Sequence, residues 1–296
     1  MFSLGGAATH GYMDKISQNQ MRRERRELLL YFVAVLTLST SFALALGRLK
    51  VTDNWAWGAV AFIPGLAAAA FRARGGQGFT SVGWRLGPAR YWLWACLLPL
   101  LMLGSSIASS LLLGYRSLGS LPASVHGSVM NLLLKMALTT VIAMPFAFGE
   151  EFAWRGYAQD KLIRQLGLLR GLFLLGLLWG LWHSPLYYLM DIFPNHPLLG
   201  PFVMTPIDNI LVVVPFAWFY IRSKSIWVPT FVHALGDILW GYSDKLFPVH
   251  SEIGAWAMLQ GVQLVLSILL LKALMTDRQH AMASKAAVAG GRLTNR

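Results

Sequence analysis

Apolar residues in this chain come in runs of about twenty, the length of helix that crosses a bilayer core of roughly 30 Å. Eight runs are read, at about 28–47, 55–71, 92–113, 130–154, 170–189, 207–221, 226–242 and 255–275. The polar segments between them leave little room for a soluble domain. The pattern predicts an all-α fold, a polytopic transmembrane helical bundle of about eight spans. Trp55, Trp57, Tyr91, Trp92, Trp94 and Trp227 lie near run ends, where aromatic rings anchor helices at the membrane surface. The first run follows "RRERR" and carries Ala43-x-Ala45, features of a secretory signal. The long arm before it and its near-spanning length make it an uncleaved first span instead. Residues 1–27 read as a basic N-terminal arm, 28–275 as the membrane domain, and 276–296 as a polar, disordered tail. The Gly-rich segment after the second run, "RARGGQGFTSVGWRLGPARY", lacks phosphate-loop spacing and reads as a flexible interfacial loop.

Composition sharpens the class. The chain is 56% hydrophobic and 13% charged, with a mean hydropathy of +0.53. A soluble domain carries about 25% charged residues. Cys96 is the single cysteine, so no intrachain disulfide can form. The net charge of +12 sits in loops, where it sets topology and touches anionic lipid; nucleic acid is not an expected partner. Nineteen Lys and Arg residues fall on the side that holds both termini of an eight-span chain. Four fall on the other side (Arg48, Lys50, Arg116, Lys245), and Lys135 and Arg155 lie within a run. That asymmetry predicts cytoplasmic termini.

Polar groups within the runs are few. His10, His126, His196, His250 and His280 fall in termini or loops, whereas His183 and His233 fall inside runs, as do Glu150, Glu151 and Asp237. An ionisable group in the bilayer costs several kcal/mol and is a functional candidate by default. Counting helix rise from the nearest basic residue on the terminal side puts Glu150 about 21 Å deep, His183 about 20 Å and His233 about 14 Å. Three helices thus bring a carboxylate and two imidazoles to a similar depth. Glu151 and Arg155 are four residues apart and can pair, as can His233 and Asp237; Glu150 points elsewhere. Pro145 and Pro229 can kink the helices that carry these groups. Glu150 can act as general base on water, with a neutral His assisting and a second His stabilising an oxyanion. Ser184 is offset by about 100° from His183 on the helix, which argues against a Ser–His dyad. Two imidazoles and a carboxylate also suit Zn2+, so Glu150, His183 and His233 are equally a candidate metal set.

Three segments resemble the CAAX-protease and bacteriocin-processing (CPBP) family of intramembrane endopeptidases. Its E-E-x-x-x-R motif is matched by "EEFAWR", Glu150, Glu151 and Arg155. Its aromatic-x-x-x-His motif is matched by "WGLWH", with Trp179 where Phe is common. Its H-x-x-x-N/D motif is matched by "HALGD", His233 to Asp237. The "WRG" ending looks like the bacterial branches, implying the bacterial cytoplasmic (inner) membrane. The resemblance implies a membrane cavity open to the cytoplasm, in which Glu150 activates water with His183 assisting. His233 and Asp237 would stabilise the oxyanion, and Glu151 with Arg155 would hold the site in shape. On the favoured mechanism no cofactor is required, and the substrate is a peptide or protein. Asp237 departs from the Asn of the prenyl-protein proteases, because an ionised Asp only accepts hydrogen bonds; it would orient His233, be protonated, or ligate metal. Two other classes suit the same residues: a non-catalytic membrane protein of bacteriocin self-immunity or partner binding, and a proton- or ion-coupled transporter.

Overall fold

The computed structural model describes residues 5–51, 53–123 and 127–293, with side chains described for 18–51, 53, 56–123, 127–277 and 279–280. His126 lies outside the described residues, as do the side chains of His10, Trp55 and Arg278. In chain order the helices are α1 (Gly5–Arg48), α2 (Asn54–Gly58), α3 (Phe62–Arg74), α4 (Ala89–Leu112), α5 (Val129–Ala153), α6 (Asp160–Leu166), α7 (Leu168–Leu189), α8 (Thr205–Ser223), α9 (Trp227–Leu246) and α10 (Glu252–Leu293). Among the described residues the only β-like contact is an antiparallel bridge between Arg116 and Val249.

Local chemistry explains most helix ends. Ser128 caps α5, its hydroxyl accepting the Asn131 N–H at 3.3 Å. Gly167, at φ 81°, ends α6, and Lys224, at φ 55°, closes α8 in the left-handed conformation. The expected kink at Pro229 does not arise. Pro229 sits in the first turn of α9, where a missing N–H costs no helical hydrogen bond. α10 stays helical to Leu293, beyond residue 276 where disorder is expected; the segment after it is rich in Ala, the strongest helix former.

The chain passes back and forth between two ends of the bundle. At the first end, Arg164 of α6 pairs with Glu24 of α1, and Arg222 of α8 pairs with Asp277 of α10 at 2.6 Å. There too the Ile226 N–H, just before α9, donates to the Gly83 carbonyl at 2.8 Å. At the second end, the Gly119 N–H donates to the Leu246 carbonyl, the His250 N–H to the Tyr115 carbonyl, and Asn195 to Glu252. α9 therefore starts at the first end and finishes at the second. Among the described residues seven helices are long and apolar enough to cross a membrane. α9, read from the sequence as a run at about 226–242, is not among the seven, and Asp237, Asp244 and Lys245 lie along it. The protein is an integral, multi-pass helical membrane protein.

Tight packing sets the pitch of the central helices. A Cβ on Gly149 of α5 would lie 2.6 Å from the Ala61 carbonyl oxygen, and one on Gly180 of α7 would lie 2.5 Å from Pro206 Cα at the start of α8. Small residues at such crossings let membrane helices approach closely. Both crossings adjoin residues of the candidate site. α1 joins the same core: Tyr31, Val35 and Ala43 are fully buried, and the Trp182 indole N–H donates to Ser39 Oγ at 2.8 Å.

Candidate active site

α5 does not end after the two glutamates. It runs on through a π-helical turn, Trp154–Gln159, into α6, and every residue of that turn is buried. Such turns widen a helix locally and often mark functional sites. Glu150 and Glu151 are themselves buried, so they belong to the interior of a long helix and not to a wet end.

The structure brings all six expected residues together. Glu150 Oε2 lies 3.8 Å from His183 Nε2, and Oε1 lies 3.9 Å from His233 Nε2. Glu151 Oε1 meets His233 Nδ1 at 2.8 Å and also accepts from the Arg155 guanidinium at 2.9 Å. Arg155 is fully buried, its guanidinium 4.1 Å from the Trp179 ring centroid and 4.4 Å from that of Phe216. Aromatic faces replace part of the hydration a buried cation loses.

Hydrogen bonding fixes the imidazoles. His183 Nδ1 lies 3.0 Å from the Trp179 carbonyl, which can only accept, so Nδ1 carries the proton and Nε2 presents a lone pair. Glu151 likewise receives Nδ1–H of His233, turning its Nε2 toward Glu150. The orienting of His233 expected from Asp237 thus falls to Glu151. Asp237 Oδ2 is 3.7 Å from His233 Nε2, and its side chain is 65% exposed, so it faces the cavity as an open carboxylate.

Two indoles, those of Trp154 and Trp179, also take part. Trp179 donates to Glu150 Oε2 at 2.8 Å and Trp154 donates to the same oxygen at 3.3 Å. A Phe at 179 could not do this. The spacing was visible, since Trp154 lies four residues after Glu150 and Trp179 four before His183; which way each ring turns was not.

A zinc ion is poorly matched by this arrangement. Two N–H donors already occupy Glu150 Oε2, so that oxygen is not offered freely to a cation. Among the described residues no group of three or more His, Cys, Asp or Glu side chains is placed to hold a metal.

Above the site opens a cavity of about 660 Å3. His183, His233, Trp179 and Phe216 form its floor, and Leu98, Met102, Leu259 and Leu266 form an apolar wall from α4 and α10. Arg116, Ile192, Val249 and Glu252, all at the second end of the bundle, complete the lining. At the first end Tyr220 donates to the Val82 carbonyl, Arg72 donates to the Gly156 carbonyl, and Trp84, Trp227, Phe148 and Phe152 pack ring against ring. The lining thus runs from the imidazoles in the middle of the bundle toward the loops after α4, α7 and α9.

Fold and site together define a class: a polytopic helical membrane protein with a carboxylate–imidazole cluster buried in its bundle. Residues 130–239 match the family described as type II CAAX prenyl endopeptidase Rce1-like, and that segment contains all three motifs. A curated protein of Methanococcus maripaludis named CAAX prenyl protease 2 is 29% identical over 91 residues, 29% of this chain and 33% of that protein. The chain spans about a third of the length of the curated relative it matches. These similarities support the resemblance to the CAAX-protease and bacteriocin-processing family that the three motifs carry.

Proposed function

We propose that this protein is an intramembrane endopeptidase that hydrolyses a peptide bond with water activated by Glu150. The observation that carries the reading is the Glu150 carboxylate facing two imidazole Nε2 atoms on the floor of a cavity. Glu150 takes a proton from water, and the hydroxide adds to the scissile carbonyl carbon. His183 Nε2 accepts a hydrogen bond from the same water. The oxyanion is held by His233 in the form that carries both ring protons, Nδ1–H remaining on Glu151. Collapse of the adduct breaks the C–N bond, and the proton on Glu150 passes to the leaving amine. Glu151 and Arg155 position His233. Asp237 contacts the substrate backbone or its cationic groups and does not donate to the oxyanion. No step requires a cofactor. The setting is the bacterial inner membrane, with lipid as the surrounding partner, both termini cytoplasmic and no role for nucleic acid.

The test is proteolysis by purified protein in liposomes, read by mass spectrometry of peptides released from membranes of a strain lacking it. Glu150→Gln is expected to abolish release, with at least a hundredfold loss, while the protein inserts and unfolds like wild type. Full release by Glu150→Gln would assign the cluster to a structural or immunity role. A chelator series on the same preparation tests the metal-free mechanism, which requires unchanged release.

A further inference from the structure

The Gly-rich segment after α3, expected as a flexible loop, is tied to the helices around it through four of its carbonyls. Arg72 Nε donates to the Gly78 carbonyl at 2.8 Å. Tyr220 of α8 donates to the Val82 carbonyl at 3.1 Å, the Ile226 N–H to the Gly83 carbonyl at 2.8 Å, and the Trp227 indole N–H to the Trp84 carbonyl at 3.0 Å. Gly83 is at φ 89°, and a Cβ there would lie 3.0 Å from the Lys224 carbonyl oxygen, so this approach to the α8–α9 junction needs glycine. Trp84 packs against Phe148 and Phe152 of α5 and Trp227 of α9, with ring centroids 6.0 to 6.3 Å apart.

Arg72 extends the same grip to the helix of the two glutamates. The residue is buried, and its Nη2 donates to Ser81 Oγ and its Nη1 to the Gly156 carbonyl, each at 2.7 Å. Gly156 lies inside the π-helical turn Trp154–Gln159. Such turns are rare and frequent at functional sites. Here a charged donor from another helix takes one of the turn's carbonyls, and charge-assisted hydrogen bonds are roughly twice as strong as neutral ones. Helix rise puts Gly156 about 9 Å beyond Glu150 and Ile226 about 10 Å before His233, about two turns in each case. One short segment thus grips both helices that meet at the site. The hydrogen bond from His233 to Glu151 ties the same two helices at the site itself. A single tie is a hinge; a second hold about two turns away fixes the angle.

Resting on the proposed protease activity, we infer that Arg72 is a positioning residue for that reaction: with residues 78–84 it clamps the π-helical turn to the α8–α9 junction and so sets how Glu150 stands to His233. Arg72 touches no reacting atom. It acts through the Gly156 carbonyl on α5 and, by way of Ser81 and Gly83, on the start of α9.

Initial rates of peptide release, together with amide hydrogen exchange read by mass spectrometry, test this on the full chain. Arg72→Ala is expected to lower kcat at least tenfold with KM within twofold of wild type. Arg74→Ala, at an exposed basic residue of the same helix, is expected to change neither. In Arg72→Ala the amides of Trp154–Gln159 and those of residues 226–230 are expected to exchange at least fivefold faster, both segments together. Wild-type exchange at either segment, or a wild-type kcat, overturns the inference. Where Arg72→Ala does not insert, Ser81→Ala decides: it removes one acceptor of the same guanidinium and is expected to shift kcat and both exchange rates the same way by at least twofold, and no shift overturns the inference. Repeating the exchange in a Glu150→Gln background needs no turnover and separates the two claims. Joint loosening of the segments there, with no Glu150-dependent release by wild type, sinks the protease reading alone. Segments that loosen independently sink the clamp alone.

Discussion

At the scale of single residues, the two glutamates divide the work by their partners. Glu151 bridges a buried guanidinium and an imidazole, whereas Glu150 is held by indoles and faces the cavity floor. Removing one partner of a buried ion pair costs about 3–5 kcal/mol, because the other charge is left uncompensated. Glu151→Gln should therefore lower the unfolding midpoint in detergent sharply, while Glu150→Gln should leave it nearly unchanged. Thermal scans of the two variants side by side check the contrast. Trp179→Phe removes one donor to Glu150 but leaves Trp154 in place; a hydrogen bond to a charged group contributes about 1.5–3 kcal/mol. Turnover should fall about tenfold with little change in KM, read from initial rates of peptide release. The identity of the site residues was legible in the sequence, because charge is rare in apolar runs and each motif sat on its own run. The tautomers, and the transfer of the orienting role from Asp237 to Glu151, depend on side-chain directions across helices and were not.

At the scale of elements, close crossings aim the site. Gly176 and Gly180 form a small-residue stripe on α7 that meets Asn209, Ile210 and Pro206 of α8, with His183 one turn further on. Gly180→Leu is expected to force α7 and α8 apart, lowering both thermal stability and activity. Gly236→Ala, where a Cβ meets open space, should be silent. The Gly176-x-x-x-Gly180 spacing could have been read directly from the sequence as a packing stripe. The run boundaries near 154 were harder to place. Trp154–Gln159 looks like the end of a span, because Arg155 and Gln159 are polar, but tertiary partners keep it helical and buried.

At the scale of the whole molecule, helix number and membrane class were legible because a twenty-residue apolar run has few other uses. α9 was read as a run, at about 226–242, despite the polar residues along it. It meets the bundle with an apolar face and borders the cavity with Gly236, Asp237, Trp240 and Asp244, so its average apolarity is low. Reporter fusions after Ser225 and after Pro248 are expected to report opposite sides of the membrane; the same side for both would demote α9 from a pass to a re-entrant segment. The reach of the cavity could not be read from one sequence, since it depends on which loops pack over which helix ends.

The packing below the imidazoles has an electrical consequence. Water in the cavity extends bulk conductance down to the imidazoles, so the transmembrane voltage falls mainly across the layer below them. That layer holds Arg155 clasped between Trp179 and Phe216, with Glu151 as its counter-ion. A full elementary charge crossing the field is worth about 2.3 kcal/mol per 100 mV. The pair is neutral as a unit and fixed in place, so the layer can bear the focused field as an insulator while the floor above it stays wet.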